Sequence, residues 1–468
     1  MRKIYLLLLS FVAVAAQAQT LTLDSCVSLA LENNKTLQAS RKLVEKYGYE
    51  VKAYRANFFP NFSLSGNGIY SDAEGSFGLA GGYLPSYSFN TQTGSLVPNV
   101  LTDASGNVVM NGTTPVFSSY AYFPGADLKL KVGTVWHAGI NVEQPIYMGG
   151  KIVTAYRMSK RGREMSSYGE QLTRNQVIVS VQEAYSLLVR ANEMYKVAVQ
   201  YDSLLASLQT DVCNAEKRGI RSHNDVLKVQ VKAGEARLQV RQAENGQRLA
   251  AMNLCHCIGQ PLTSAIEVDP ESIALQADQL TEGTADISSR PEYKALDLQS
   301  QLASDKVKLE RSEYLPQIGL AGTYSYVDGL EINGTKLFDK TSFGVVLNVK
   351  VPLYHANEGH NKIKAAKLEA ERATLDQQDK VEQMNLELAQ ASNNLDEARL
   401  EVDLAEESLA QAEDNLKSSR SSYDRGVESL SDLMEAQTLW QQAYAKLVDA
   451  RSNLFVASTK YRKASGTL

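Results

Sequence analysis

The sequence predicts a mainly α-helical protein with a membrane β-barrel, in which each subunit contributes duplicated long coiled-coil helical hairpins plus four strands. Three observations support this fold class. Both halves of the chain repeat one plan, each half contains a long stretch without proline, and four segments alternate between apolar and polar residues. The repeat shows which elements correspond, and the other two observations assign the helices and the strands.

Shared motifs stand at a constant offset in the two halves. The motif pairs are Pro145 with Pro352, Gly219 with Gly426, and the strand-opening Pro60 with Pro316. The first two pairs are 207 residues apart and the last pair is 256 apart, so the first half carries an insertion of 49 residues. We therefore predict a first structural repeat at 19–265 and a second at 266–468.

The first eighteen residues have the pattern of a signal peptide. Arg2 and Lys3 form a positive start, residues 4–14 form an apolar core, and Ala16-Gln17-Ala18 fits a cleavage site. We expect residues 1–18 to be removed during export.

Two helical hairpins are predicted, at about 150–257 and 357–464. The first arm of each hairpin has no proline, and Gly219 and Gly426 are placed to turn the chain into the second arm. The last arm carries one row of large residues and one row of small residues at heptad spacing, which favours close packing in a coiled coil. These rows are Leu433, Trp440, Leu447, Leu454 and Tyr461, and Ala436, Ala443, Ala450, Ala457 and Ala464.

The four alternating segments are predicted strands at about 60–72, 127–145, 316–328 and 341–352. Alternation over about ten residues is typical of a transmembrane strand with one face toward lipid and one toward water. A half-buried sheet of a soluble protein has the same alternation and remains an alternative. Single-chain barrels begin at about eight strands and open edges are not viable in lipid, so four strands require further subunits, and three copies would supply twelve strands.

The insertion at about 73–126 joins two predicted strands at the end away from the helices. It is rich in Gly, Ser, Asn, Thr and Tyr, and its only charged residues are Glu74 and Asp103. Two interpretations remain open, a mobile surface loop or a cap over the mouth of the barrel. The Tyr and Phe content favours partial order.

Composition and motifs argue against other classes of protein. The formal net charge is −5, so nothing indicates nucleic-acid binding. Cys255-His256-Cys257 suggests a metal site, but the two cysteines point to different faces of a helix and Cys257 continues a packing row. No nucleophile-and-base pattern occurs, so we expect neither enzymatic activity nor a cofactor.

Residues 422–437 resemble the TolC family of outer-membrane efflux and secretion channels. Tyr423 and Gly426 match the family's Tyr-x-x-Gly turn, and Asp432, Glu435 and Ala436 match the Asp-x-x-(Asp/Glu)-Ala motif that follows it. The resemblance extends over nearly the whole mature chain apart from the insertion. It implies a homotrimer that closes a 12-stranded barrel and an α-helical periplasmic barrel.

The family resemblance also implies a function. The chain would lie in the cell outer membrane, in contact with lipid, with a long periplasmic extension. It would be the exit duct of a tripartite efflux pump or type I secretion system, docked to a periplasmic adaptor (membrane fusion protein) and an inner-membrane transporter. The alternative is a periplasmic coiled-coil scaffold or adaptor that is not inserted in the membrane.

The resemblance assigns gate residues to the ends of the hairpins. Asp432 and Glu435 match an acidic ring at the periplasmic entrance, and Tyr423 and Asp225 match positions that link neighbouring hairpins. Asp432 also fits a helix cap with Ser429, so a cap and a gate are both open for it. Glu435 lies beyond the cap and is the better gate candidate.

The chain departs from the family pattern at one gate position. Glu428 replaces an arginine of the family, and Arg221 stands where the family often has no charge. We therefore predict that Arg221 bonds Glu428 across the entrance, while solvated surface roles for both residues remain an alternative. The hairpin tips, which meet the adaptor in the family and also read as glycine helix caps, are Arg218, Gly219, Ile220, Arg425, Gly426 and Val427.

Overall fold

The computed structural model of the protein describes residues 20–270, 286–336 and 340–468, so the predicted signal peptide lies outside the described residues. The chain divides into two compact units. The helical unit contains the residues up to Tyr54 together with Val153–Arg311 and Ala356–Leu468. The sheet unit contains Arg55–Ile152 and Ser312–His355.

Long helices dominate the described chain. They are α1 (Leu23–Asn33), α2 (Lys35–Ala56), α3 (Lys151–Lys217), α4 (His223–Ile258), α5 (Pro291–Ser312), α6 (Glu358–Asp424) and α7 (Leu430–Ser465). Helices α3 and α4 form one hairpin, and α6 and α7 form the other. Ser222 caps the start of α4, and Gly259 and Gly466, both in the left-handed conformation, end α4 and α7.

Helix α7 contacts α4, where Gln441 donates to Gln239 at 3.2 Å, and α6 packs on α7. Gln247 of α4 bonds Asn192 of α3 at 3.0 Å, and Ser452 of α7 lies 2.8 Å from Ser186 of α3. Small residues bring α6 close to α7, where Ala405, Leu447 and Ala450 form a buried cluster. Helices α4 and α6 each carry exposed apolar residues. These residues are Leu227, Val231, Leu238 and Leu249 on α4, and Leu368, Leu375, Leu386, Leu400 and Leu404 on α6.

The start of the described chain is fixed to the segment between the repeats. Strand β1 (Thr20–Leu21) pairs in parallel with β11 (Glu267–Val268). The buried Tyr185 hydroxyl lies 2.9 Å from the carbonyl oxygen of Leu21 and 2.8 Å from that of Asp269, and it accepts from the N–H of Asp269 at 3.0 Å. One side chain of α3 thus joins both segments.

A buried carboxylate joins α5 to α3. Asp305 accepts from Arg157 at 3.0 Å, from Lys308 at 3.3 Å and also from Arg161. Burial opposes ionisation of Asp305, but the three cations outweigh it and hold the pKa of the carboxyl below its ordinary value.

The sheet unit contains four long antiparallel strands in the order β14-β12-β10-β2. They are β2 (Asn61–Tyr70), β10 (Ala126–Met148), β12 (Gln317–Ile332) and β14 (Thr341–Lys350), and the short β3 (Glu74–Leu79) and β13 (Thr335–Lys336) extend the pairing. Strand β10 continues past Pro145, where the sequence predicted its end. A register shift between Pro145 and Tyr147 explains this, because a bulge tolerates the missing N–H of proline.

The insertion carries short strands of its own. They are β4 (Gly82–Pro85), β5 (Tyr87–Asn90), β6 (Ser95–Pro98), β7 (Met110–Asn111), β8 (Thr114–Pro115) and β9 (Tyr120–Phe123). Strand β4 pairs with β9, β5 with β6, and β7 with β8.

Length and hydropathy decide whether a helix can cross a membrane. Among the described residues, no helix is both long enough and apolar enough to cross a membrane.

Candidate functional site

The first hairpin tip is a Schellman turn. The N–H of Gly219 donates to Glu216 at 2.7 Å, and the N–H of Ile220 donates to Ala215 at 2.9 Å. Gly219 has a φ of +74°, which favours glycine because it has no Cβ to clash. Nearby, the Nε of Arg218 donates to the carbonyl of Asn214 at 3.1 Å. The helix-cap interpretation of this tip therefore describes its backbone.

The second tip repeats this turn. The N–H of Gly426 donates to Tyr423 at 3.0 Å, the N–H of Val427 donates to Ser422 at 2.9 Å, and Gly426 has a φ of +76°. In many Schellman turns the residue that directly follows the glycine is apolar and packs back on the helix. Here Ile220 and Val427 are instead 67% and 77% exposed, and Arg425 is exposed beside them. Both tips thus present one uncovered aliphatic side chain next to arginine.

Tyr423 links the two hairpins at their ends. Its side chain is buried in an apolar cluster with Tyr201, Val226 and Leu433. The guanidinium of Arg221 lies 4.7 Å from the centre of the Tyr423 ring, which is the geometry of a cation–π contact. A residue beside the first tip therefore covers the ring of a residue beside the second tip.

Charged residues surround this contact. Burial raises the pKa of the Tyr423 hydroxyl, and the negative charges of Asp225 and Asp211 raise it further. The positive charges of Arg221 and Arg420 act in the opposite direction. The hydroxyl therefore stays protonated at neutral pH.

A second link joins the same two hairpins. Arg420 of α6 pairs with Asp211 of α3 at 2.9 Å and lies 3.5 Å from Asp424. All three side chains are at least one third exposed, so the pair contributes at most about 1 kcal/mol. Arg420 and Asp211 were not predicted, because they lie 209 residues apart in the sequence and no local pattern marks them as a pair.

Arg221 and Glu428 have different partners within one chain. Arg221 covers Tyr423. The carboxylate of Glu428 accepts from the hydroxyl of the buried Ser419. Pairing of Arg221 with Glu428 across the entrance stays a prediction.

Asp432 caps helix α7. Its carboxylate accepts from the N–H of Ser429 at 3.1 Å and from the hydroxyl of Ser429 at 2.7 Å, while its own N–H donates to the Ser429 hydroxyl. Ser222 accepts in the same way from the N–H of Asp225 in the first hairpin. Glu435 lies one turn further along α7 and is exposed.

The Cys255-His256-Cys257 segment packs at the end of α4. The Sγ of Cys255 lies 3.7 Å from the carbonyl of Ser264, and Cys257 packs against an apolar cluster. Over the described ranges, no three His, Cys, Asp or Glu side chains are grouped so that they could hold a metal ion.

Comparison with known proteins adds relatives for this chain. Residues 286–467 match the model of the family "Outer membrane efflux protein". Protein CyaE of Bordetella pertussis is 25% identical over 206 residues, 43% of each chain. The outer membrane protein TolC of Vibrio cholerae is 24% identical over 224 residues, 46% of this chain and 50% of that protein. The chain thus matches half or less of the length of these relatives.

Solved structures share the fold across most of the chain. The CmeC outer membrane channel of Campylobacter jejuni aligns with a TM-score of 0.72 at 19% identity, over 95% of this chain and 85% of CmeC. CusC aligns with a TM-score of 0.73 at 14% identity, over 95% of this chain and 92% of CusC. The resemblance to the TolC family is confirmed, and residues 286–467 carry the match to the outer membrane efflux protein family.

Proposed function

We propose that the protein is an outer-membrane exit duct of a tripartite efflux pump or type I secretion system. It conducts cargo passively from a periplasmic adaptor and an inner-membrane transporter to the exterior. The observation that carries this proposal is the sheet, because its two faces differ in polarity and, among the described residues, both of its edges are unpaired.

One face of the sheet is apolar and uncovered. The pairing register sets Leu64, Ile140, Tyr324 and Phe343 in one row across the four long strands, and each is about half exposed or more. In water such a row is costly, whereas lipid favours it by about 25 cal/mol for each Å² of apolar surface. This face suits contact with outer-membrane lipid.

The other face is polar and hydrogen-bonded. Asn141 donates to Ser65 at 3.0 Å and accepts from Thr323 at 3.0 Å, so three strands share one network. A face of this kind suits a water-filled lumen.

The sheet edges call for further copies. Within the described ranges β2 and β14 each pair on one side only. Because the four strands alternate in direction, β14 of one copy can pair antiparallel with β2 of the next, and the order continues around a ring. Three copies give the twelve strands of the proposed homotrimer, and closure removes edges that lipid cannot satisfy.

Helices α4 and α6 of the helical unit have complementary surfaces. Helices α4 and α6 both carry uncovered apolar residues. Helix α6 contains 16 acidic and 8 basic residues, whereas α4 contains 3 acidic and 5 basic residues. Contact between α4 of one copy and α6 of the next would therefore bury apolar surface between helices of opposite net charge. Such contacts support an α-helical barrel in the periplasm.

The hairpin ends are the proposed entrance and docking surface. Glu435 and Asp432 would form the acidic ring, and Tyr423 with Arg221 and Asp225 would hold the two hairpins of one copy together. The uncovered Ile220 and Val427 next to arginines suit an adaptor that offers a small apolar pocket rimmed by carboxylates.

Three measurements test the proposal. The full-length chain should fractionate with the outer membrane, and the purified protein should have the mass of three chains. In planar bilayers it should give discrete single-channel conductance steps. A monomer found in the soluble periplasmic fraction would instead support the scaffold alternative.

A further inference from the structure

The insertion at residues 73–126 is folded into hairpins yet has no core. Every one of these residues is exposed or only partly buried in the single chain. Isolated two-stranded hairpins are marginally stable in water, since they bury too little apolar surface. The packing that stabilises the insertion must therefore come from outside the chain.

Aromatic side chains collect on one face of the insertion. The rings of Tyr83 and Tyr122, on paired strands, are 5.2 Å apart. The ring of Phe117 lies 5.8 Å from that of Tyr87 and 6.1 Å from that of Tyr120, and so connects two hairpins. We define the aromatic face as Tyr83, Tyr87, Phe89, Leu96, Tyr120 and Tyr122.

The aromatic face is large enough to be an interface. Its six side chains are between 51% and 72% exposed. An aromatic side chain buries about 150–250 Å² when fully covered, so together they expose on the order of 700 Å². That area is close to the roughly 800 Å² that each partner contributes to a standard protein interface.

The aromatic face carries no charge. Glu74 and Asp103 are the only charged residues between 73 and 126. Glu74 pairs with Lys131 at 3.2 Å, and the Asp103 carboxylate accepts from the N–H groups of Ser105 and Asn107, each at 2.9 Å. Both carboxylates are therefore engaged within their own chain. Identical faces can therefore meet without electrostatic repulsion, whereas recognition of a charged ligand has no support.

We propose that the aromatic faces of neighbouring copies pack against one another and form a lid across the outer mouth of the duct. The inference rests on the proposed function, because threefold closure gathers the three insertions around one axis. The occupant of each face is thus a second copy of this chain. The lid closes the duct at the exterior, independently of the entrance formed by the hairpin tips.

Cysteine labelling of the full-length protein in intact cells tests this packing. Tyr83→Cys and Tyr122→Cys, made singly, are treated with a membrane-impermeant maleimide polymer. Gln92→Cys is the matched control, because Gln92 lies in the exposed turn between β5 and β6. Packed faces should slow labelling at 83 and 122 by at least about tenfold relative to 92. Equal rates at the three positions would overturn the lid.

Excision of the insertion provides a second test. Leu79 and Ala126 are register partners, so Asn-Gly in place of residues 80–125 should close a two-residue hairpin and keep β3 paired with β10. Thr323→Cys, on the polar face, then reports access from outside. Excision should speed labelling of Thr323→Cys by at least about tenfold, while unchanged labelling would contradict the lid. A full-length chain that is monomeric would refute the proposed function instead, so the two failures are distinguishable.

Discussion

Replacing Arg221 with glutamine should shift the entrance toward its open state. The guanidinium of Arg221 lies 4.7 Å from the centre of the buried Tyr423 ring and so joins the ends of both hairpins. Glutamine keeps much of the side-chain length but removes the cation. The contact is then lost without creating a cavity, since Arg221 lies at the edge of the cluster.

The size of the effect follows from the burial of the contact. A cation–π contact contributes about 0.5–1 kcal/mol when exposed and about 2 kcal/mol when desolvated. Tyr423 is only 9% exposed and Arg221 is half-buried, so the contact contributes about 1 kcal/mol per copy to the closed state. If three copies open together, the loss is about 3 kcal/mol, which raises the ratio of open to closed channels by roughly 100-fold.

Single-channel recording in planar bilayers measures this ratio as the open probability. Arg218→Gln is the matched control, because Arg218 is an exposed arginine of the first tip. Its guanidinium donates to the carbonyl of Asn214 on its own helix and does not join the two hairpins. Tyr423→Phe is the second control, since it keeps the ring and should leave the open probability nearly unchanged.

Three outcomes would count against this reasoning. An unchanged open probability in Arg221→Gln would show that the contact does not hold the entrance closed. An equal rise in Arg218→Gln would show that only the surface charge near the mouth matters. A large rise in Tyr423→Phe would instead assign the link to the hydroxyl group.

Three further predictions concern stability and membrane insertion. Tyr185→Phe should lower the free energy of unfolding by about 1–3 kcal/mol in chemical denaturation, because it removes a buried hydroxyl that bonds the backbone of both Leu21 and Asp269. An unchanged denaturation midpoint would contradict that role. The pKa of Asp305 is lowered in the folded protein, so its stabilising effect is complete above the unfolded pKa of about 3.9 and is lost as the pH falls through the lower folded pKa. Asp305→Asn should therefore remove this acid-dependent loss of stability from thermal melts between about pH 2 and pH 5. Leu64→Arg, on the apolar face, should lower the free energy of unfolding in lipid by up to about 4 kcal/mol and reduce the folded yield in the outer membrane. Ser63→Arg, on the opposite face, should leave the yield unchanged. Equal yields of the two variants would argue against lipid contact.

The periodic elements were the predictable part of the fold. The rows at heptad spacing and the alternating segments correspond to long helices and strands, whose pattern repeats often enough to be read from sequence. Helices α1, α2 and α5 were not named in advance. They are 11, 22 and 22 residues long and lie in no hairpin, so neither a turn glycine nor the repeat marked them. Proline was also misleading at one strand end, because a bulge at Pro145 lets β10 continue.

At the candidate site, local chemistry was predictable and long-range pairing was not. The cap by Ser429 and Asp432 follows from spacing within one turn of helix. The contact of Arg221 with Tyr423 depends on how two hairpins pack, and charge alone suggested Glu428 as the partner. Within one chain Glu428 bonds Ser419, an interaction for which two polar residues nine positions apart give no distinctive sequence signal.

The cap geometry separates the two acidic gate candidates. The Asp432 carboxylate accepts two hydrogen bonds from Ser429, which fix its direction toward the backbone. An acid held in this way offers less of its charge to a passing ion, and moving it would uncap the helix at a cost of about 1 kcal/mol. Glu435 lies one turn further on, exposed and outside the cap. If three copies surround an entrance, Glu435 is therefore the carboxylate that can change its direction as the mouth opens, while Asp432 keeps the helix end in place behind it.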